Sequence, residues 1–422
     1  MRKIFFTSII LLFSSIYLFA FETPYFKGYT GFLGNFSSNP GEEGFDPCAT
    51  AQGYFAGQLD FSDKLLVRGE FFVQSADLFG GDIFHAPESA DALFKVQEVS
   101  AVYKLNKPSA THYFSAFFGE YEPIGSDTFL RRQFGIKPIT SGLTTSFHGL
   151  NGASINHMYG GGLSYIIHLP RQIAAGVYAY EDWNKAYNQR SFNTDMRIGG
   201  ALPFITFDFN SGIGFPKDST DGTFDNYFFI VRYVTLHSGF NLLIGNPSSD
   251  WNIFLQGGFS DLPVSTKRDD DLFDFKTMAK NLYFLFEPRI NMGQFSAAVT
   301  LFNIPYQQLD NLIYTKDSCG VDLSVKTNNL YIGDMNATVG AHLSFTLGSK
   351  TNTRGKTIKD AWDDRKNSSD RTCNVRLTPY AEVPVLGGSL HASMTTDLTH
   401  LAKFKSDWPS SFEVRVGFKT QF

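Results

Sequence analysis

Residues 411–422 read "SFEVRVGFKTQF". Taken by alternate positions, Phe412, Val414, Val416, Phe418, Thr420 and Phe422 fall on one face, and Glu413, Arg415, Gly417, Lys419 and Gln421 on the other. A period of two with one apolar and one wet face marks a β-strand lying between an oily and an aqueous phase. In a soluble sandwich such a strand is ordinary. Its meaning depends on whether the rest of the chain repeats the pattern, and on where the chain is sent.

The destination is written in residues 1–20, "MRKIFFTSIILLFSSIYLFA". Arg2 and Lys3 give a short positive start, and Ile4 to Phe19 is a nearly unbroken apolar core ending at Ala20. This reads as a secretory signal peptide cleaved near Ala20, with Leu18 standing where a small residue is preferred. Beyond it there is no apolar run of roughly 18 residues, the length of a membrane helix.

Composition narrows the class. The chain of 422 residues is 16% aromatic, with 44 Phe and 19 Tyr, has 38 Gly and only 4 Trp and 3 Cys, and carries a net charge of −5. It is neither a disulfide scaffold nor a disordered chain, and no basic excess points to nucleic acid. High aromatic and glycine content with a slightly negative mean hydropathy suits strands that alternate between lipid and water. Spacing leaves a Cys319–Cys373 bridge and three free thiols, Cys48 included, equally open.

The terminal pattern recurs along the chain. In "LLVRGEFFVQ" Leu65, Val67, Gly69, Phe71 and Val73 oppose Arg68, Glu70 and Gln74, and in "NLYFLFEPR" Leu282, Phe284 and Phe286 oppose Tyr283, Glu287 and Arg289. Candidate strands lie near 25–36, 49–61, 64–75, 93–105, 111–121, 158–168, 172–183, 193–201 and 204–214. Others lie near 226–236, 250–260, 280–290, 294–303, 319–327, 336–347, 373–384, 388–398 and 411–422. "GFNLLIGNPSSD" offers one further strand. Very short links ("SDK", "NKPSA", "LPRQ", "INMGQ", "LGG") alternate with long polar ones at 76–92, 122–157, 261–278, 304–318, 348–372 and 399–410. Short turns at one rim and long loops at the other are the habit of a transmembrane barrel. The expected fold is all-β, a single antiparallel barrel of about 14–18 strands over residues 21–422.

With these features in place, the last strand resembles the closing strand of bacterial outer-membrane β-barrel proteins, in the positions of Val414, Val416, Phe418, Thr420 and Phe422. The resemblance implies an outer-membrane location, and that Val416, Phe418 and Phe422 serve as the signal read by the barrel assembly machinery. Physics points the same way: in lipid, backbone polar groups must be paired within the protein, so the last strand must close on the first.

For a barrel, function resides in lumen and loops. Inward positions by alternation include Arg68, Glu70, Glu98, Lys104, Arg232, Glu287, Arg289, Arg376, Glu382, Asp397, Glu413, Arg415 and Lys419. These are the pore-lining candidates; their mixed signs imply weak ion selectivity, or mutual pairing that merely solvates the wall. The long link 122–157 contains Arg131, Arg132 and Lys137, which would form a basic lip if the loop folded inward as in general porins, and solvated external charges if it did not. "FHGLNGAS" brings His148, Asn151 and Ser154 together, superficially like outer-membrane phospholipases, but a glycine-rich loop offers no rigid base for a nucleophile; no catalytic residue and no enzyme is expected. "RDDDLFD" (268–274) and "DAWDDRK" (360–366) are acidic runs without the calcium-loop pattern, and neither a metal site nor a cofactor motif is present.

Three functional readings follow. One is passive diffusion of small hydrophilic solutes through a porin-like channel in outer-membrane lipid. Another resembles the long-chain fatty acid channels, which implies an N-terminal plug, here residues 21–48 with Asn39-Pro40, and a greasy path past Tyr54, Phe72 and Phe228. The third is a structural or adhesive barrel. The solute and the oligomeric state are not written in the sequence.

Overall fold

The computed structural model describes residues 25–38, 45–80, 94–145, 147, 154–155, 158–184, 189–217, 233–265, 282–304, 312–315, 317–332, 335–348, 372–403 and 408–421. Residues 1–20, expected as a signal peptide, and Arg232, Phe228, both acidic runs and Phe422 lie outside them. The strands are β1 (Tyr25–Ser38), β2 (Pro47–Asp60), β3 (Leu65–Gln74), β4 (Phe94–Lys107), β5 (Ala110–Gly119) and β6 (Gly160–Leu169). There follow β7 (Ile173–Asn184), β8 (Gln189–Ala201), β9 (Ile205–Lys217), β10 (Tyr233–Ile244), β11 (Trp251–Ser265) and β12 (Leu282–Met292). β13 (Phe295–Asn303), β14 (Cys319–Ile332), β15 (Met335–Gly348), β16 (Thr372–Val385), β17 (Gly388–Asp397) and β18 (Phe412–Gln421) complete the set. Two short helices interrupt the pattern, α1 (Thr128–Phe134) and α2 (Leu398–Lys403).

All 18 strands belong to one sheet, each paired antiparallel with its neighbours in sequence, and β1 pairs with β18 to close the ring. The closing seam runs from Tyr29 opposite Gln421 to Ser37 opposite Glu413. On its outward side Phe32 meets Phe418, ring centroids 6.3 Å apart.

Alternation sorts the side chains. Along β8, Phe192, Met196 and Ile198 are exposed outside, while Asn193, Asp195 and Arg197 between them are buried inside the ring. The same holds for Phe209, Phe284, Val325 and Val416, all exposed on the exterior. An outer surface of this composition is matched to hydrocarbon, and a closed barrel is the sheet that leaves no backbone edge in it.

Every candidate strand corresponds to a strand of the ring. Of the segment expected at 226–236, residues 226–232 lie outside the described residues, and the remainder opens β10, which continues to Ile244. Its second half is "GFNLLI", so that stretch is no additional strand. The sequence misleads there because Leu243 faces inward yet is apolar, buried under an inner loop at 0% exposure. A register shift between Leu236 and Ser238 blurs the alternation further.

Short turns lie at the rim where β1 begins and β18 ends. The link between β16 and β17 is Leu386-Gly387, with φ of 52° and 72°, the left-handed pair of a type I′ hairpin that matches strand twist. The longer connections lie at the opposite rim; the exception to strict alternation is the four-residue link between Asn184 and Gln189. Residues 25–38 are wall, in register with both β18 and β2. This corrects the N-terminal plug, since most of 21–48 is spent on β1 and the start of β2. The thiols of Cys48, Cys319 and Cys373 are free. Cys319 and Cys373 stand on β14 and β16 with β15 between them, about 9–10 Å at sheet spacing, beyond disulfide reach.

A chain truncated after residue 411 is expected to give no folded, heat-modifiable band on unheated SDS gels, because β1 and β17 would each present an unpaired edge to lipid. Full-length chain refolded in the same detergent provides the comparison.

Candidate functional site

A ring of 18 strands encloses a lumen wide enough for an aqueous channel. The connection between β5 and β6 turns into it. The chain leaves β5 at Gly119, whose φ is 99° and where a Cβ would lie 2.3 Å from the Gln97 carbonyl oxygen. Only glycine makes this inward turn without a clash. Residues 121–130 are then all buried, and α1 ends at Gly135, whose left-handed N–H donates to the Arg131 carbonyl.

The loop is fastened to the wall at several points. Gln256 Nε2 on β11 donates to the Gly125 carbonyl at 2.6 Å, and Asn241 Nδ2 on β10 donates to the same oxygen at 3.0 Å. Tyr178 Oη on β7 donates to Glu122 Oε2 at 2.7 Å. Arg132 Nη2 donates to Glu98 Oε2 on β4 at 2.7 Å, and its Nη1 stands 3.7 Å from Glu122 Oε1. On β12, Arg289 Nη2 donates to the Ile139 carbonyl at 2.8 Å, and Glu287 accepts from the Ser141 hydroxyl. Phe129 packs on β8 where a Cβ at Gly199 would come within 2.7 Å of its ring. Phe147 packs on β18, where a Cβ at Gly417 would lie 2.5 Å from it.

Position on the ring gives these contacts their meaning. β4 and β12 are eight strands apart, and β8 and β18 are also eight apart through the closing seam, where nine is diametral. The loop is therefore a brace that crosses the lumen twice. An apolar core forms inside the barrel along its course: Phe117, Tyr180, Phe254 and Leu285 from the wall meet Ile124, Leu130, Ile139 and Ile155 from the loop. Arg197 sits 4.5 Å from the Phe129 ring centroid.

The brace carries buried charge. Burial pulls the Arg132 guanidinium down, but the carboxylates of Glu98 and Glu122 more than reverse this and hold it above its ordinary value. Asp127 precedes α1, and burial pushes its carboxyl up, against hydrogen bonds from the Thr140 hydroxyl and the N–H groups of Thr140 and Ile139.

A second inner segment lies between β13 and β14. Leu312, Ile313, Tyr314 and Thr315 are buried, and Tyr314 stacks on His342 of β15 with centroids 4.0 Å apart. Arg415 donates to the Ile313 carbonyl, and Asp317 pairs with Arg376 at 2.8 Å. His342 Nδ1 lies 2.8 Å from Asp322 Oδ2.

Of the residues singled out from sequence, Glu98, Arg132, Glu287 and Arg289 meet at the brace, while Arg376 and Arg415 hold the second segment. Asp397 also pairs with Arg376, and Glu413 with Arg415. Lys419 stands 4.0 Å from Glu382, which also accepts from the Ser389 hydroxyl. Arg68 is half-buried and donates to Gln58 at 2.9 Å, Glu70 lies opposite Glu98, and Lys104 lies opposite Tyr113. Arg131 is half-buried and Lys137 exposed. His148 and Asn151 lie outside the described residues; Tyr54 is buried on the inner side and Phe72 half-buried. Sequence reading missed Glu122, Asp127, Arg197, Asp208, His237, Tyr314 and Asp322. Part of that signal was present: "YFSAFFG" and "LYFLF" are apolar on both faces, the pattern of strands covered on both sides.

No sequence family matches the chain, and no curated protein matches it. Among solved structures it is similar to a mutant porin of Rhodopseudomonas blastica, at 11% identity, 95% of this chain, 100% of that chain and a TM-score of 0.45. It is also similar to Salmonella typhi OmpF in complex with daunomycin, at 11% identity, 94% and 97% coverage and a TM-score of 0.40. No residue role is carried over from either.

Replacing Arg132 with Gln leaves Glu98 and Glu122 buried without their cation. Removing one partner of such a pair costs about 3–5 kcal/mol, so amide hydrogen exchange across 121–134 is expected to accelerate by orders of magnitude while exchange in β14–β16 stays unchanged.

Proposed function

We propose that the protein is an outer-membrane channel for passive diffusion of small hydrophilic solutes, exported with residues 1–20 removed and inserted by the barrel assembly machinery through its terminal strand. The observation that carries this reading is the unequal filling of the lumen. Inner faces of β5 to β12 are buried by the brace, as at Phe117, Tyr178, Arg197, Asn241 and Glu287. Those of β13 to β17 are largely covered by the second segment, as at Asp322, His342 and Thr378. On β1 to β4 the inner face is buried at Leu33, Tyr54, Glu70, Glu98 and Val102, while Tyr29, Gln52, Gln58, Arg68 and Lys104 are half-buried polar groups. A narrowed, off-centre passage along that wall fits small solutes and excludes bulky ones.

The hydrophobic-transporter reading has less support. Its plug would come from segments that form β1 and β2, and the half-buried groups facing the β1–β4 side are amides, hydroxyls, cations and the Lys27-paired carboxylate of Asp60. The brace interior is apolar, but it is filled by the protein's own side chains. Arg68, Lys104, Glu382, Arg415 and Lys419 remain candidates for lining the passage, and Arg131, Arg132 and Lys137 for its constriction; Glu70, Glu98 and Glu413 are buried away from it. The oligomeric state and the solute are left open.

Refolded residues 21–422 in planar bilayers are expected to give steady ohmic steps, and proteoliposomes to swell with small sugars but not with large oligosaccharides. A variant lacking 136–147 is expected to conduct more and to admit larger sugars. A silent intact protein with no swelling in any sugar would sink the channel reading.

A further inference from the structure

The geometry points to an anion-preferring passage, with Arg68 and Lys104 of the β3–β4 wall setting the preference and Arg131 of α1 adding to it. This rests on the channel reading. From composition the inner wall is electrically mixed, but pairing removes most of the mixture. On β1 to β4 the inward carboxylates are Asp60, Glu70 and Glu98. Asp60 lies 3.5 Å from Lys27 and accepts from Gln58. Glu98 is held by Arg132 and by the Ser100 hydroxyl. Glu70 lies opposite Glu98 and is buried at 6% exposure.

The cations on the same side are differently placed. Among the described residues no carboxylate lies within 4.0 Å of Arg68, Lys104 or Arg131; the Arg68 guanidinium donates instead to the neutral Gln58. Arg68 and Lys104 lie on the inward side of adjacent strands, one opposite Ser100 and the other opposite Tyr113. They descend the wall from the brace toward the short-turn rim, both half-buried. Asp60 and Glu98 are thus engaged in the protein's own pairs and Glu70 is buried, which leaves Arg68 and Lys104 as the cations of that wall without a direct carboxylate partner among the described residues.

A unit charge about 4 Å from a permeating ion in water-like surroundings alters its population roughly fivefold, and the effect fades beyond a Debye length of about 8–10 Å at ordinary salt. Two or three such cations in a narrowed lumen attract inorganic anions and small organic carboxylates and phosphates, and repel cations.

The test is the reversal potential of the refolded channel under a KCl gradient. Chloride is expected to permeate roughly three- to fivefold better than potassium, with the ratio falling as ionic strength rises. The Arg68→Gln/Lys104→Gln double variant is expected to conduct with a ratio near unity, and Glu70→Gln to leave the ratio unchanged. Lys104→Glu alone, which disturbs no described ion pair, carries the comparison if the double variant does not refold; its ratio is expected to fall below that of the parent. Conductance without chloride preference in the parent, or a preference that survives these substitutions, overturns this assignment and leaves the channel reading standing. A parent that does not conduct overturns both.

Discussion

The pairing of β1 with β18 is the contact on which the rest of the molecule depends. In a hydrocarbon medium each unpaired backbone N–H or C=O costs several kcal/mol, and an open sheet of this length would expose two full edges. Nine residue pairs from Tyr29–Gln421 to Ser37–Glu413 remove both edges at once. Closure also divides space into an outside and an inside, which turns the period-two alternation of every strand into a two-phase surface. Phe, Leu, Val and Met go to lipid, and charged and amide groups go to the lumen.

Closure alone leaves a lumen wider than its side chains can fill, and the chain fills much of it with itself. The β5–β6 connection joins walls that are eight strands apart in two directions, through ion pairs, backbone carbonyls and ring packing. The buried Arg132 of this connection is matched by Glu98 and Glu122, and on the wall beside it Arg197 is matched by Asp208 while His237 hydrogen-bonds Asp195. Removing one member leaves the other stranded in low dielectric, which is more costly than never having had the pair. A brace of this kind fixes the bore as well as supporting the wall.

The same matching shapes the electrostatics of passage. Carboxylates that hold arginines, histidines and hydroxyls in the brace are unavailable to permeating ions. On the proposed anion-preferring passage, a solute would meet the remainder after internal pairing, Arg68, Lys104 and Arg131, whose sign differs from the net charge of −5 of the whole chain. Composition therefore describes solubility and partners better than it describes a pore.

The alternation of residues 412–421, and of each strand like it, was enough to determine an antiparallel barrel, because the two-residue period of a strand is a local property that lipid and water read directly. Strand number and the order of short and long links were legible for the same reason. The far half of β10 was missed where Leu243 turns an apolar face inward, since alternation then no longer reports the boundary between phases. Arg131, Arg132 and Lys137 were recognisable as a basic cluster in a long loop, but whether that loop lay inside or outside was not. Its course is decided by contacts with Glu98, Gln256, Glu287 and Gly417, far apart in sequence and close only after the ring has closed. The chain's periodicity determined the wall; the filling of the lumen, and the choice of which charges stay unpaired, belong to the tertiary structure, because long-range pairing leaves no period in the sequence.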